Sequence, residues 1–517
     1  MVVARSAIVR QRIQQPNTHV SPAPVRGWNA RDSIDKLEED EAEILDNWYP
    51  EVGRIEVRGG FASHATGMTG TVETIAPFVA GSVSKLVTAG NNNIWDATSV
   101  GAASSLGSGF SNDRWQWRVM DAKLGLVNGV DTPQTYDGTT LGNMTISGTG
   151  LTVTQLKGIN VHQNRSWFWT TVDGSAWYSA TNALGGALTE FDLSTVAGFG
   201  GNLTAMETWT RDGGDGPDDF AVFFMSSGET LVYAGTDPAA SATWALVGRY
   251  ILGAPVNIRG YQKIGGDLAC MTQDGYISLQ SAINTTRARP REGKSGGVLS
   301  DKIHRAVHTV IQSNGSDFGW EVEFYPRRNY LLFNHPDGSN LNQHILNLTT
   351  GAWCRFTEQV GSAWGVYNDE LYFGGAGGIV YKADSGTSND GANITALCKP
   401  AFNYLGRRDR RKRLTALRIV AGGDGTVPLS VDINADFQDQ VFAFMPIDFA
   451  GSVSGGASWD TATWDVDDWA GADIIRLRTI LAGRVGYNFS PTVRYQNQGQ
   501  NVRLESFTYF YKSLSPL

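Results

Sequence analysis

Cysteine is scarce in this chain of 517 residues, where Cys270, Cys354 and Cys398 stand far apart and form no C-x-x-C pair. That spacing argues against a disulfide framework or a cysteine-built zinc site and implies buried, reduced thiols. Charge is scarce too, at 18% of residues, and the 42 basic side chains are outnumbered by 51 acidic ones, for a net charge of −9. A chain of that balance is not, as a whole, an electrostatic binder of nucleic acid. Nowhere does the sequence approach the ~20 apolar residues of a membrane-spanning helix, and its start, MVVARSAIVRQRIQQPNTHV, lacks a signal-peptide core. The expectation is a soluble chain with no membrane span and no export signal.

What is abundant is glycine and tryptophan, with 61 Gly and 16 Trp. Many short strands joined by tight turns follow, and hence an all-β architecture. From about residue 70 an aromatic strand, turn and strand recur in LVTAGNNNIWDATS (86–99), LGLVNGVDTPQTYDGTT (124–140), SWFWTTVDGSAWYSAT (166–181) and AVFFMSSGETLVYAGTD (221–237). Further units are LACMTQDGYISLQS (268–281), YLLFNHPDGSNLNQHILNLTTGAWCRF (330–356) and LYFGGAGGIVYKAD (371–384). Gly-, Asn- and Asp-bearing turns between alternating strands are a hairpin signature, and the spacing suits propeller blades. A β-propeller-like domain of six to eight blades is expected over 61–385, with a pair of β-sandwiches as the alternative. Ile303, Val307, Val310 and Ile311 predict a short interrupting helix over 300–312. After residue 386 the alternating runs lengthen, predicting a C-terminal β-sandwich over 386–517.

Residues 1–60 read as an N-terminal arm. The first 26 carry Pro16, Pro22 and Pro24 and little periodicity, as in an extended segment that orders on a partner. Ser33 is a candidate cap for a short acidic helix bearing Ile34, Leu37, Glu41, Ile44 and Leu45 on one stripe. Pro50 and Gly53 would end it before an alternating strand, Arg54-Ile-Glu-Val-Arg58. Trp28 and Trp48 are large apolar groups in a segment that looks too short to bury them, which makes them candidate contacts with a neighbour.

Few groupings promise chemistry. His304 and His308 stand four apart on the expected helix, but the H-E-x-x-H pattern and a third ligand are missing. Thr171-Val-Asp-Gly-Ser-Ala-Trp177 is close to the Asp-box turn of sialidase propellers, with Asp173 and Gly174 adjacent where that motif separates them. Asp215, Asp218 and Asp219 sit in a Gly-rich loop without calcium-loop spacing. Trp459, Trp464 and Trp469 form an acidic aromatic cluster whose five-residue step fits neither a helix face nor a strand face. Neither a catalytic residue, a metal nor a cofactor is expected. The one strong basic run is Gly406-Arg-Arg-Asp-Arg-Arg-Lys-Arg413, in which Arg407, Arg408, Arg410, Arg411, Lys412 and Arg413 lack the interleaved aromatics of a base-stacking surface. It reads as a contact between subunits or an exposed hairpin rather than a DNA contact.

The stretch over 27–61, GWNARDSIDKLEEDEAEILDNWYPEVGRIEVRGGF, resembles a segment near the start of tail nozzle, or tail hub, proteins of short-tailed bacteriophages. The likeness rests on Gly27, Trp28, Asn29, Arg31 and Asp32, then on residues 45–50 (LDNWYP), then on Arg54 to Phe61. That resemblance implies a structural virion protein of the phage tail rather than an enzyme, assembled in the host bacterial cytoplasm. It implies a sixfold ring of copies beneath the portal and adaptor proteins, in company with tail fibres, whose lumen conducts DNA during ejection without binding it specifically. The readings from other classes are a tail-associated glycan hydrolase and a carbohydrate- or receptor-binding tail fibre, each on a propeller scaffold.

Overall fold

Each recurrent unit supplies paired strands of one sheet, four-stranded in the first four cases, because its alternating apolar residues pack on both neighbouring sheets while its Gly, Asn and Asp residues make the turns. The computed structural model describes residues 16–212, 217–284, 298–424, 427–438, 444–449 and 474–514. Within them, seven sheets follow one another in sequence, beginning with the strands Val72–Ala80, Gln116–Met120, Gly158–His162, Leu203–Asp212, Tyr261–Ile264, Glu321–Tyr325 and Ala363–Tyr367. These first strands follow one another around an axis, the fourth, Leu203–Asp212, meeting the fifth blade at its second strand, Asp267–Thr272, and the last packs on the first, so the ring closes. The body is a seven-bladed β-propeller. Closure is double-ended. The seventh blade takes its outer strand, Phe61–Thr66, from the start of the chain, pairing antiparallel with Val380–Ala383.

Between the fifth and sixth blades a 3-10 turn, Asp301–Ile303, leads into the helix His304–Asn314, which buries Ile303, Val307 and Ile311 as its spacing predicts.

The C-terminal strands form two facing sheets. One joins Lys412–Gly423, Ile474–Gly486 and Val502–Ser513. The other joins Ile394–Pro400, Phe489–Asn497, Pro428–Ala435 and Met445–Asp448. The core between them holds Leu417, Ile419, Leu504, Phe507 and Tyr509 from the first sheet with Val431, Val493 and Tyr495 from the second.

The sandwich is completed by the N-terminal segment, which is not a free arm in residues 17–60. Asn17–Pro22 pairs with Val502–Ser513, as does Arg54–Val57, and Ala42–Asp46 lies between Ile394–Pro400 and the sixth blade's Trp353–Phe356. The sixth blade and the second sandwich sheet thereby become one nine-stranded sheet.

The acidic helix expected from Ser33 onward is absent. Residues 33–40 are turns, and Ala42–Asp46 is a strand. The reason is local capture followed by long-range pairing. Asn29 Oδ1 accepts the amides of Arg31 and Asp32, each at 3.1 Å, and Glu41 points inward to Asn29 Nδ2 at 2.8 Å and Lys302 Nζ at 3.0 Å. Burial of Ala42 and Leu45 in the nine-stranded sheet then outweighs a helix propensity that is worth only tenths of a kcal/mol per residue.

Candidate functional site

Residues 27–61 form a clasp between the propeller and the sandwich, built mainly from residues 27–32, 42–50 and 55–61. Gly27 has φ +81 and lies so close to the sixth blade that an added Cβ would stand 2.4 Å from the Trp353 carbonyl oxygen. Only glycine fits. The next amide, Trp28 N, donates to that oxygen at 2.7 Å. Arg31 reaches Asp32 at 2.8 Å and also Asp301, which leads the interrupting helix. Asp46 takes both nitrogens of the Arg355 fork, at 2.8 and 2.7 Å.

Asn47, left-handed at φ 57, bonds outward in several directions. Its Nδ2 donates to Thr395 O at 2.8 Å, and its Oδ1 accepts from Arg58 Nε at 2.9 Å and Thr357 N at 3.1 Å. Arg58 is buried and spends its remaining donors on Gly59 O, Glu358 and Asn389. Burial pushes its guanidinium down to about 10, still charged at neutral pH. Gly59 and Gly60 would each clash on gaining a side chain, with Asp384 and Ser388 respectively.

Both tryptophans expected to meet a neighbour are spent inside the chain. Trp48 is fully buried in the main core, and Trp28 lies at 7% exposure with the Arg355 guanidinium 5.5 Å from its ring. The segment does not bury them alone. It inserts them between two domains that the sequence places hundreds of residues away.

The basic run also divides. Arg407, Arg408, Arg411 and Arg413 are exposed and Arg410 half-buried, but Lys412 is buried, and its ammonium donates to the carbonyls of Arg407, Arg410 and Tyr487. Lys412 therefore pins the turn from within. Arg407 pairs with Asp409 at 2.7 Å, and Arg408 lies 4.6 Å over the Tyr404 ring, an aromatic just upstream of the run.

The propeller axis encloses a channel of ≈ 440 Å³ lined by residues of all seven first strands. Its wall carries Glu207, Glu321 and Glu323 against Arg118, Arg259 and Lys263. Arg118 meets Glu207 at 2.9 Å, and Arg259 meets Glu321 at 3.4 Å. Arg259 also ties adjacent blades by donating to Trp115 O at 2.6 Å and Glu73 O at 3.1 Å. Glu323 is pushed up to about 8 by burial, and then by the neighbouring Glu321 carboxylate. Sequence reading missed this set. Its only sequence signal is an acidic residue at every second position of Trp320-Glu-Val-Glu-Phe324, with one more inside Ala205-Met-Glu-Thr-Trp209.

The other candidates resolve simply. His304 and His308 stack at 5.9 Å, and no group of three or more metal-ligating side chains forms among the described residues. Asp173 Oδ1 accepts the Ser175 amide at 3.0 Å in a hairpin turn. Asp219 accepts from Thr210 at 2.6 Å on paired strands. All three cysteines are buried and free. Asp215 and Trp459, Trp464 and Trp469 lie outside the described residues.

Among solved structures the chain is similar to propeller domains. The WD40 β-propeller domain of Doa1 matches at TM-score 0.38 and 10% identity, over 63% of this chain and 96% of that one. PorZ, a bacterial surface component of the type-IX secretion system of Porphyromonas gingivalis, matches at TM-score 0.38 and 12% identity over 64% and 38%. BBS1N in complex with ARL6DN gives TM-score 0.38 and 11% identity over 63% and 97%. No protein-family model and no curated protein matches the chain.

Proposed function

We propose that this chain is a structural component of a short-tailed phage tail, a nozzle or hub protein that closes with copies of itself into a ring and attaches to the portal and adaptor proteins. The observation that carries the reading is the 27–61 segment. The residues that resemble the tail-protein pattern are those that clasp the propeller to the sandwich, an arrangement suited to a scaffold that must hold its shape under load. The DNA passage then lies between copies. The propeller's own channel, ≈ 440 Å³ and crossed by ion pairs, is far too small for a duplex ~20 Å wide. The chain's net charge of −9 suits a passage between copies that must not grip phosphates.

Electron microscopy of the purified chain tests this. Closed rings with an opening wider than the duplex are expected. Elongated trimers would point instead to a tail fibre.

One observation favours a second reading. Glu321 and Glu323 point the same way from one strand into the channel, with Glu323 pushed up, as in a carboxylic acid held ready to donate a proton. A glycan hydrolase would use them as an acid and base pair. Release of reducing sugar from host-surface glycan, lost in Glu323→Gln, would establish that reading over the structural one.

A further inference from the structure

The outer face of the sheet Val502–Ser513, Lys412–Gly423 and Ile474–Gly486 is apolar and cationic together. On Ile474–Gly486 alternate side chains stand out from the sheet, with Ile475 57%, Leu477 64% and Leu481 85% exposed. Cross-strand register sets Leu481 beside Ala416 and Phe510, and Leu477 beside Val420 and Ser506. It sets Thr479 beside Arg418 and Thr508, with Val20, 62% exposed, next to Thr508. A last row holds Val485, Arg413 and Lys512. Arg418 lies 5.0 Å over the Phe510 ring and donates to Thr479 Oγ1 at 3.2 Å.

Across these four rows there are three cations and no carboxylate, whereas the adjoining row of Ile475, Gly422 and Arg503 ends on Glu56, and Glu505 pairs with Arg503 at 3.0 Å. Ile474–Gly486 is also the last strand of its sheet, with no ladder partner on its far edge among the described residues. A long apolar edge left open invites pairing with another chain.

We infer that this face is the surface on which a second copy of the chain docks. The occupant is set by charge. Arg413, Arg418 and Lys512, in whose rows no acid stands, match an acidic surface, and this chain has the excess of 51 acidic over 42 basic residues to supply one elsewhere. A basic apolar face meeting a different, acidic surface makes a head-to-tail contact, the kind that closes a ring. The inference rests on the ring reading above and deepens it.

The test measures the mass of the full chain by sedimentation across a range of concentrations. It compares wild type with the double variant Leu477→Ser, Leu481→Ser and with Arg418→Glu, alongside melting temperature and salt-dependent binding to duplex DNA. Wild type is expected to assemble. The double variant should remain single copies with the melting temperature of the unassembled chain unchanged, and Arg418→Glu should raise the assembly midpoint at least about tenfold. Variants that assemble like wild type overturn this surface and leave the ring reading standing. Wild type that stays single at every concentration overturns both. A double variant that melts lower while assembling normally means that the chain itself covers the face, and overturns the inference. Duplex binding lost in Arg418→Glu with assembly intact assigns the face to DNA, with the same consequence.

Discussion

The propeller and the C-terminal sheets use the same strands-and-turns chemistry and end in opposite states. The propeller closes on itself. Its first strands pack around the axis, its seventh blade is finished by Phe61–Thr66, and the channel charges are largely paired across blades. Among the described residues the six-stranded C-terminal sheet ends on an open edge, with Leu477 and Leu481 exposed. Closure makes a region self-sufficient, whereas an open apolar edge marks the region that remains unfinished until something covers it. The clasp joins the two, so its residues belong to the self-sufficient side of this division even though they look like a free arm in sequence.

The largest effect is expected from breaking that join. Trp48→Ala should cost about 3–5 kcal/mol in urea unfolding, the usual range for emptying a buried aromatic site, and deletion of residues 1–48 should prevent folding because it removes strands of both C-terminal sheets. A stable, soluble deletion variant would return the segment to the status of an arm. Next comes the contrast within the basic run. Lys412→Ala leaves three carbonyls without their donor and should cost about 1–3 kcal/mol. Arg413→Ala, one residue along on the exposed face, should stay within about 0.5 kcal/mol. Equal effects would mean that the run acts as a unit.

A third effect reports on the closed channel. Glu323 is pushed up to about 8 in the folded chain, against about 4.3 for an ordinary glutamate. The folded state thus holds a proton that the unfolded state has released over that interval. Its contribution is full below about pH 4, declines as pH rises through the interval, and is gone above about 8. Glu323→Gln should flatten that slope in unfolding measured at several pH values, and an unchanged slope would place the titration elsewhere. The smallest effect is expected from replacing Arg407, Arg408 and Arg411 with Ser together. Urea unfolding of the single chain should be unchanged, since exposed ion pairs contribute little.

How much of this was legible follows from the range of each interaction. The seven aromatic recurrences each fall in a separate blade, because alternation and turn residues act within a dozen positions. The helix read over 33–45 was a local pattern defeated by a strand partner at 394–400. Lys412 looks like its neighbours in composition and differs only in being turned inward. The channel was hidden for a similar reason, since its charges are single residues on strands spread from Arg118 to Glu323. The pair Glu321 and Glu323, set between Trp320, Val322 and Phe324, is the channel's one local trace in the sequence.

Native mass spectrometry of the purified full-length chain tests the central claim most directly. A closed, sixfold assembly that dissociates in Leu477→Ser, Leu481→Ser is the result this account predicts. A single copy, or a trimer that survives those substitutions, would contradict it.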